Sequence, residues 1–252
     1  MKKMRFDVIT LFPEMVENIQ QFGVVGRALS TQIAECHCHN PRDDALQENG
    51  RIDDRPYGGG PGMVMQYQPL QSTVNRLKHG SNHAIVVYLS PQGKKLDQAS
   101  IRALSAHDHL ILLCGRYEGI DERLLHDMVD EEYSLGDYVI SGGELGAMVL
   151  IDAIIRTLPG TLGDEQSAVQ DSFESGLLDY PHYTRPESVE GQPVPQVLLS
   201  GDHSKIAEWR LKQALGRTYL RRPDLMAEYQ MSDHEKRLLD EFLAENSSNS
   251  EK

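Results

Sequence analysis

Cysteine is scarce in this chain: Cys36, Cys38 and Cys114 are the only three in 252 residues. That number supplies no disulfide framework. A run of apolar residues long enough to span a bilayer, roughly 18–20, is also missing. The opening Met1-Lys2-Lys3-Met4-Arg5 is basic, but the apolar stretch after it is short and stops at Pro13. It reads as a first strand rather than a signal peptide, and a cytoplasmic protein is expected. There is no excess of positive charge. The net charge of −13 argues against indiscriminate binding to polyanions. No internal repeat occurs, and no glycine loop matches the dinucleotide fingerprint or the P-loop.

One run invites a metal reading, Cys36-His37-Cys38-His39. On a strand, alternation sends the two cysteines to one face and the two histidines to the other. Four such ligands do not converge on one zinc ion.

Glycine-rich loops directly after apolar runs are what the chain does have. They read Leu89-Ser90-Pro91-Gln92-Gly93, Cys114-Gly115-Arg116-Tyr117-Glu118-Gly119 and Gly136-Asp137-Tyr138-Val139-Ile140-Ser141-Gly142-Gly143. In parallel α/β sheets, ligands bind outside the carboxyl ends of the strands. Three loops at that edge can wrap one small molecule with backbone atoms, because glycine removes the obstructing Cβ. A further glycine segment, Tyr57-Gly58-Gly59-Gly60-Pro61-Gly62-Met63, reads either as a wall beside a ligand or as a tight turn.

Apolar runs over residues 6–12, 84–89, 109–114 and 138–141 read as strands. The middle two lack alternation, as expected of strands buried on both faces. Helical patterns cover 13–22, 97–106, 121–129 and 144–158. The last is strongly apolar and suits a central or interface position. Alternating strands and helices predict an α/β fold with a mainly parallel sheet. The composition changes near Pro159, where residues 159–167 have little to bury and read as a linker. Beyond it, residues 203–220 form a helical pattern with Leu211, Ala214 and Leu215 on its apolar stripe. Arg210, Arg217 and Arg221 share one face of that helix. Ser232-Asp233-His234-Glu235 is a capping-box pattern that opens a last helix.

Charge is distributed unevenly. Residues 116–137 carry eight acids against Arg116 and Arg123, whereas 205–222 carry six bases against Glu208. The first stretch suits a cationic ligand and the second a phosphate backbone, unless each is simply a solvated helix face. The segment Asp171-Ser172-Phe173, with Gly176-Leu177-Leu178-Asp179-Tyr180-Pro181-His182-Tyr183-Thr184-Arg185-Pro186, is rich in groups that hydrogen-bond and stack. Such a segment reads a base, or it is an interdomain loop with packed aromatics.

Seven motifs together carry a resemblance. They are Asp54-Arg55-Pro56-Tyr57-Gly58-Gly59-Gly60-Pro61-Gly62-Met63, Tyr88 to Gly93, Cys114 to Arg123, Gly136-Asp137-Tyr138 with Gly142-Gly143-Glu144-Leu145, Asp171-Ser172-Phe173, His182 to Pro186, and Trp209-Arg210-Leu211-Lys212-Gln213. In this order the chain resembles the bacterial tRNA (guanine-N1)-methyltransferases of the TrmD type, in the SPOUT superfamily. The resemblance implies a SPOUT fold, with a deep trefoil knot in a mainly parallel sheet and a small helical C-terminal domain. It divides the chain into a knotted domain (1–160), a flexible linker (161–170), a tRNA-binding domain (171–246) and a disordered tail (247–252). It also implies a homodimer with the active site at the subunit interface. The cofactor is S-adenosyl-L-methionine, Mg²⁺ is a further possibility with unknown ligands, and the partner is a tRNA anticodon stem-loop. The product is 1-methylguanosine at tRNA position 37, which maintains the reading frame.

Site residues follow from the same resemblance. The cofactor is expected on Tyr88, Leu89, Ser90 and Pro91, on Gly115, Tyr117, Glu118 and Gly119, and on Ser134, Leu135, Gly136, Asp137, Tyr138, Val139, Ile140, Gly142 and Gly143. Asp171 matches the general base and Arg156 the catalytic arginine. Asp179, His182 and Arg185 match the segment over the guanine, and Arg210, Arg217 and Arg221 are expected to meet phosphates. Two positions depart from the family pattern. Gly146 stands where proline is common, and Tyr133 where tryptophan is frequent. Rival readings are another knotted methyltransferase, acting on ribosomal RNA or a ribose hydroxyl, and a non-catalytic RNA- or cofactor-binding protein.

Overall fold

The computed structural model describes residues 3–47, 49–80, 83–163 and 171–249. The chain divides into two units, Met1–Glu165 and Gln166–Lys252.

The first unit is built on a five-stranded parallel sheet. Its strands are β1 (Met4–Ile9), β2 (Ala34–His39), β5 (Ile85–Lys95), β6 (His109–Cys114) and β7 (Glu131–Ser134), in spatial order β2-β1-β6-β5-β7. Two short strands, β3 (Asp53–Asp54) and β4 (Val64–Met65), pair antiparallel outside it. Every residue of β6 is buried, because helices cover both sheet faces. On one face Phe6, Val8, Leu110 and Leu112 pack with α1 (Pro13–Glu17), α2 (Gly23–Ser30), α4 (Gln98–Ser105) and α6 (Glu144–Thr157). On the other, Ile9, Val86, Ile111 and Leu113 pack with α3 (Tyr67–Lys78) and α5 (Glu122–Met128). Each fully buried Leu or Ile contributes about 1.5–3 kcal/mol of transfer free energy.

The sheet differs from the sequence reading at one edge. Residues 138–141 are not a strand; Val139 is 94% exposed in a loop. The fourth apolar-run position is taken by β7, whose Glu131 and Glu132 hide an edge strand behind polar composition. The strand β2 and the helices α2 and α3 are also additional to the helices and strands read from periodicity. Strand alternation at β2 puts Cys36 and Cys38 against the first core cluster, while His39 meets Asp7 on the opposite face.

Helix boundaries follow their caps. Asp97 caps α4 by accepting from the Ser100 amide at 2.8 Å, and Asp121 caps α5 by accepting from the Arg123 amide at 3.0 Å. The pattern over 13–22 is not one helix: α1 ends at Glu17 and a 3₁₀ turn covers Asn18–Gln21. Past α6, Thr161 is fully buried and its carbonyl accepts from Arg27, so the residues just after Pro159 are packed into the first unit. The rest of the expected linker, 164–170, lies outside the described residues.

The second unit contains a short antiparallel pair, β8 (Ser188–Val189) and β9 (Gln192–Pro193), and four helices among its described residues. These are α7 (Gln196–Leu199), α8 (His203–Arg221), α9 (Pro223–Glu228) and α10 (Asp233–Asn249). Leu215, Leu238 and Leu239 form its core, with Leu211 and Leu243 packed against them. The capping box is present at α10: Glu235 accepts from the Ser232 amide at 2.7 Å, and Ser232 Oγ accepts from the Glu235 amide at 3.3 Å. Residues 247–249, read as tail, continue this helix, and 250–252 lie outside the described residues. No helix among the described residues is long and apolar enough to cross a membrane.

Candidate active site

Three neighbouring strands, β6, β5 and β7, end at one edge of the sheet, and each delivers a glycine loop there. The first loop arises from a break in a ladder. Leu89 and Lys94 both pair with Tyr133, so residues 90–93 leave the sheet and β5 resumes beyond them. Ser90 Oγ accepts from the Gln92 amide at 3.0 Å and donates to the Glu132 carboxylate. A Cβ on Gly93 would land on the Tyr133 backbone, so only glycine lets the strand rejoin its neighbour.

The second loop, residues 115–121, is braced from outside by β4. Glu118 N–H donates to the Met63 carbonyl at 2.9 Å, Met65 N–H to the Gly119 carbonyl at 2.9 Å, and Asp121 N–H to the Met65 carbonyl at 3.0 Å. Gly62, at φ +78°, lies under the Glu118 side chain, where a Cβ would overlap the carboxylate. Residues 57–62 are turn and loop and are not among the residues lining the cavity; Gly62 and Met63 instead brace the second loop, and Tyr57 at the far end is fully exposed. Tyr117 sits in the left-handed region at φ +59°, a conformation that is uncommon outside glycine.

The third loop, 135–143, returns beneath the second. Gly143 N–H donates to the Gly115 carbonyl at 3.0 Å. Gly142 faces Arg116 so closely that a Cβ would overlap the guanidinium. Arg116 Nη1 donates to the Ser141 carbonyl at 2.9 Å.

Between these loops lies a cavity of about 290 Å³, near the lower end of the size range for small-molecule sites. The residues expected at a cofactor from the first two loops, Tyr88, Leu89, Ser90, Pro91, Gly115, Tyr117, Glu118 and Gly119, all line it. So do Ser134, Leu135, Gly136, Tyr138, Val139, Ile140, Gly142 and Gly143. Asp137 is exposed and is not among the lining residues. Arg116, Tyr133, Ser141 and Gly146 complete the wall and were missing from the expected set. Tyr133 and Gly146 had stood out only as departures from a pattern. Arg116 and Ser141 lay inside quoted motifs without chemistry assigned to them.

Tyr88 is a strongly perturbed group of the cavity. Burial first, and then the nearby charges of Glu132 and Glu122, push its phenol up to about 12. It is therefore a neutral hydroxyl throughout the physiological range. Its ring packs against Gly115, where an added Cβ would come within 2.8 Å of the phenol oxygen.

The remaining expected residues fall in two places. Arg156 stands in the last turn of α6, in the first unit. Asp171, Asp179, His182, Arg185, Arg210, Arg217 and Arg221 belong to the second. There the Asp179 carboxylate accepts from the Tyr180 amide at 2.7 Å and pairs with His182 Nε2 at 2.8 Å. The His182 and Tyr180 rings lie 4.7 Å apart. Arg185 is exposed. The basic face of α8 is not uniform: Arg210 is half-buried, 4.8 Å over the Tyr180 ring, whereas Arg221 is exposed and Arg217 intermediate. Arg210 thus supports the Asp179–His182 segment. Tyr183 adds a tilted contact with Trp209, centroids 6.4 Å apart.

Fold and cavity define a class: an α/β protein that encloses a small ligand with backbone-rich loops at the carboxyl edge of a parallel sheet. The family model described as tRNA (Guanine-1)-methyltransferase TrmD matches residues 4–228. The chain is 58% identical over 242 residues to a tRNA (guanine-N(1)-)-methyltransferase of Halorhodospira halophila, covering 96% of this chain and 92% of that one. It is 54% identical to a protein of the same description from Pasteurella multocida, covering 95% and 98%. The chain belongs to the TrmD family of tRNA (guanine-1)-methyltransferases.

Proposed function

We propose that the chain transfers a methyl group from S-adenosyl-L-methionine to N1 of guanosine at tRNA position 37, next to the anticodon. Methyl transfer to guanine N1 of tRNA is the activity of its family; the donor, the position and the residue roles are the proposal. The observation that carries it is the convergence of three glycine loops on one cavity.

The cavity fits the donor in kind. Tyr88, Leu135 and Ile140 offer apolar surface for a purine, and the glycines expose backbone donors and acceptors for a ribose. Glu118, the one acid among the lining residues, suits a sulfonium charge. When bound, the donor supplies an electrophilic methyl group that needs alignment more than activation. The chain's own task is the nucleophile, because guanine N1 carries a proton. Asp171 removes that proton as attack proceeds. Arg156 stabilises the charge that develops on guanine O6. Asp179, His182 and Arg185 hold the base by polar contact and stacking. Mg²⁺, where used, would be held by one or two carboxylates together with substrate oxygens and would reduce charge repulsion near the RNA; no group of three or more candidate ligands assembles for it among the described residues.

Three features of the family fold enter here as proposals. The bond from Gly143 to Gly115 and the close packing of Gly143 on Cys114 support a knotted crossing. Exposed Leu145, Val149, Val139 and Ile140 beside the cavity support a homodimer with the active site at the subunit interface. The described helices of the second unit, with the bases of α8, support an anticodon-stem platform. The enzyme then works in the cytoplasm on tRNA.

The test is methyl transfer to two tRNA transcripts that differ only in carrying guanosine or adenosine at position 37. Methylation of the first alone, mapped to N1, is expected. Labelling of both, or of neither while the donor binds, would refute the assignment. Asp171→Asn should remove single-turnover methylation, and near-normal turnover would exclude Asp171 as the base.

A further inference from the structure

A fully buried carboxylate lies beneath the cavity without lining it. Glu144 is the first residue of α6 and is flanked by apolar core. Its Oε1 accepts from Thr10 Oγ1 at 2.9 Å, and its Oε2 lies 2.8 Å from Arg116 Nη2. Thr10, also fully buried, follows β1 and accepts from the Phe12 amide at 2.9 Å. The Arg116 guanidinium sits 4.5 Å from the Phe12 ring centroid and donates through Nη1 to the Ser141 carbonyl at 2.9 Å. One carboxylate thus ties four segments: the end of β1, the second loop, the third loop and the start of α6.

We propose that Thr10, Glu144 and Arg116 are a positioning set that fixes the register of the third glycine loop against the second, and thereby the shape that receives the methyl donor. The proposal rests on the reading of the cavity as the donor site. Each bond in the set has one directional role. The Thr10 hydroxyl fixes Oε1, so that Oε2 faces the second loop. Oε2 pairs with the Arg116 cation by charge at 2.8 Å, without an aligned hydrogen bond, and the planar guanidinium donates its other arm to the Ser141 carbonyl. The electron-rich face of Phe12 and the missing Cβ of Gly142 together seat the guanidinium. Stability alone does not account for the arrangement. A buried ion pair is often matched by apolar residues of similar volume, and what such groups can supply instead is a defined geometry. The position at the start of α6 favours the anion. Arg116 and Ser141 line the cavity while Thr10 and Glu144 do not. The last two therefore act through the loops.

The experiment uses the full chain, four single variants (Thr10→Val, Thr10→Ser, Glu144→Gln and Arg116→Lys) and the double variant Thr10→Val with Glu144→Gln. S-adenosyl-L-methionine affinity is measured by calorimetry, donor KM and kcat with the guanosine-37 transcript, and melting without ligand. Thr10→Val keeps the side-chain volume and removes the donor. Its donor Kd and KM are expected to rise about tenfold, the size of one lost hydrogen bond to a charged group, with kcat within about twofold. Thr10→Ser should restore both constants. In Thr10→Val combined with Glu144→Gln, the donor affinity should be no weaker than in Glu144→Gln alone, since the two act in one chain of contacts. Arg116→Lys keeps the charge near the cavity but cannot bridge Glu144 and Ser141. It serves as the decisive variant if the buried ones fail to fold, and is expected to weaken donor binding by a similar factor. Donor affinity unchanged in Thr10→Val and Arg116→Lys, or penalties that simply add, would overturn the positioning role. A wild-type chain that binds no donor would instead refute the reading of the cavity.

Discussion

Replacing Gly143 by alanine isolates the contact between the second and third loops. Gly143 has φ −73° and ψ −12°, which alanine adopts without strain. Any effect is therefore steric. A Cβ there would lie 2.8 Å from Cys114 Cα, 3.0 Å from Gly115 N and 3.2 Å from Cys114 C. All three are backbone atoms at the end of β6, which cannot rotate away. Carbon atoms prefer separations of about 3.5–4.0 Å, so the loops must part by about 1 Å. Overpacking of this kind costs about 1–3 kcal/mol. The stretched bond from Gly143 N–H to the Gly115 carbonyl adds about 0.5–1.5 kcal/mol. For a unit of this size, a total of about 2–4 kcal/mol lowers Tm by roughly 5–15 °C. Thermal unfolding by circular dichroism measures this, with Gly80→Ala as control, because the nearest atom to a Cβ there is the Leu77 carbonyl oxygen at 3.8 Å. If Gly143→Ala melts with the control, the two loops do not touch as described and the crossing of the chain here is wrong.

Three further outcomes follow from single residues. Asp7 is fully buried; burial raises its carboxyl, but hydrogen bonds from His109, His39 and Arg5 outweigh this and hold it well below the usual carboxylate range. A depressed folded-state value gives stability that is complete above the unfolded value of about 3.9 and is lost as pH falls below it. The gap in urea midpoint between wild type and Asp7→Asn should therefore narrow below about pH 4, and a gap constant from neutral to acid pH would contradict the assignment. Gly216 in α8 packs so closely on Phe242 that a Cβ would overlap the ring; Gly216→Ala should cost about 1–3 kcal/mol in chemical unfolding despite better helix propensity, and a stabilised variant would refute that packing. Arg217→Gln should weaken tRNA binding across all sequences and reduce the salt slope by about one contact; an unchanged slope would remove Arg217 from the phosphate surface.

Much of the architecture was legible because it rests on local chemistry. The apolar run of β6 without alternation announced a strand buried on both faces, and all six residues are buried. Ser232 marked a helix start through capping chemistry that acts within a few residues, and the patterns over 97–106 and 121–129 begin at the residues that cap α4 and α5. The glycine loops drew attention because glycine is informative wherever backbone must approach backbone. Alternation along β2 separated Cys36 and Cys38 from His39 before any partner was known.

Other features depend on neighbours that no local pattern names. The strand β7 reads as polar because it lies at a sheet edge, and its pairing with β5 is decided by the break at residues 90–93. Val139 and Ile140 look like core by composition, yet they stand exposed in the loop over the cavity they line. Arg116 and Glu144 are 28 positions apart, and Thr10 lies another 106 before Arg116. Nothing in the spacing of these three predicts that one buried carboxylate joins them. The sequence by itself determined the buried central strands, the capping box of the last helix and the close-approach loops, since those follow from each residue's own conformational and hydrogen-bonding preferences. Only the tertiary structure decided which loops share a cavity and which buried charges meet, because burial and Coulomb attraction depend on distance in space rather than along the chain.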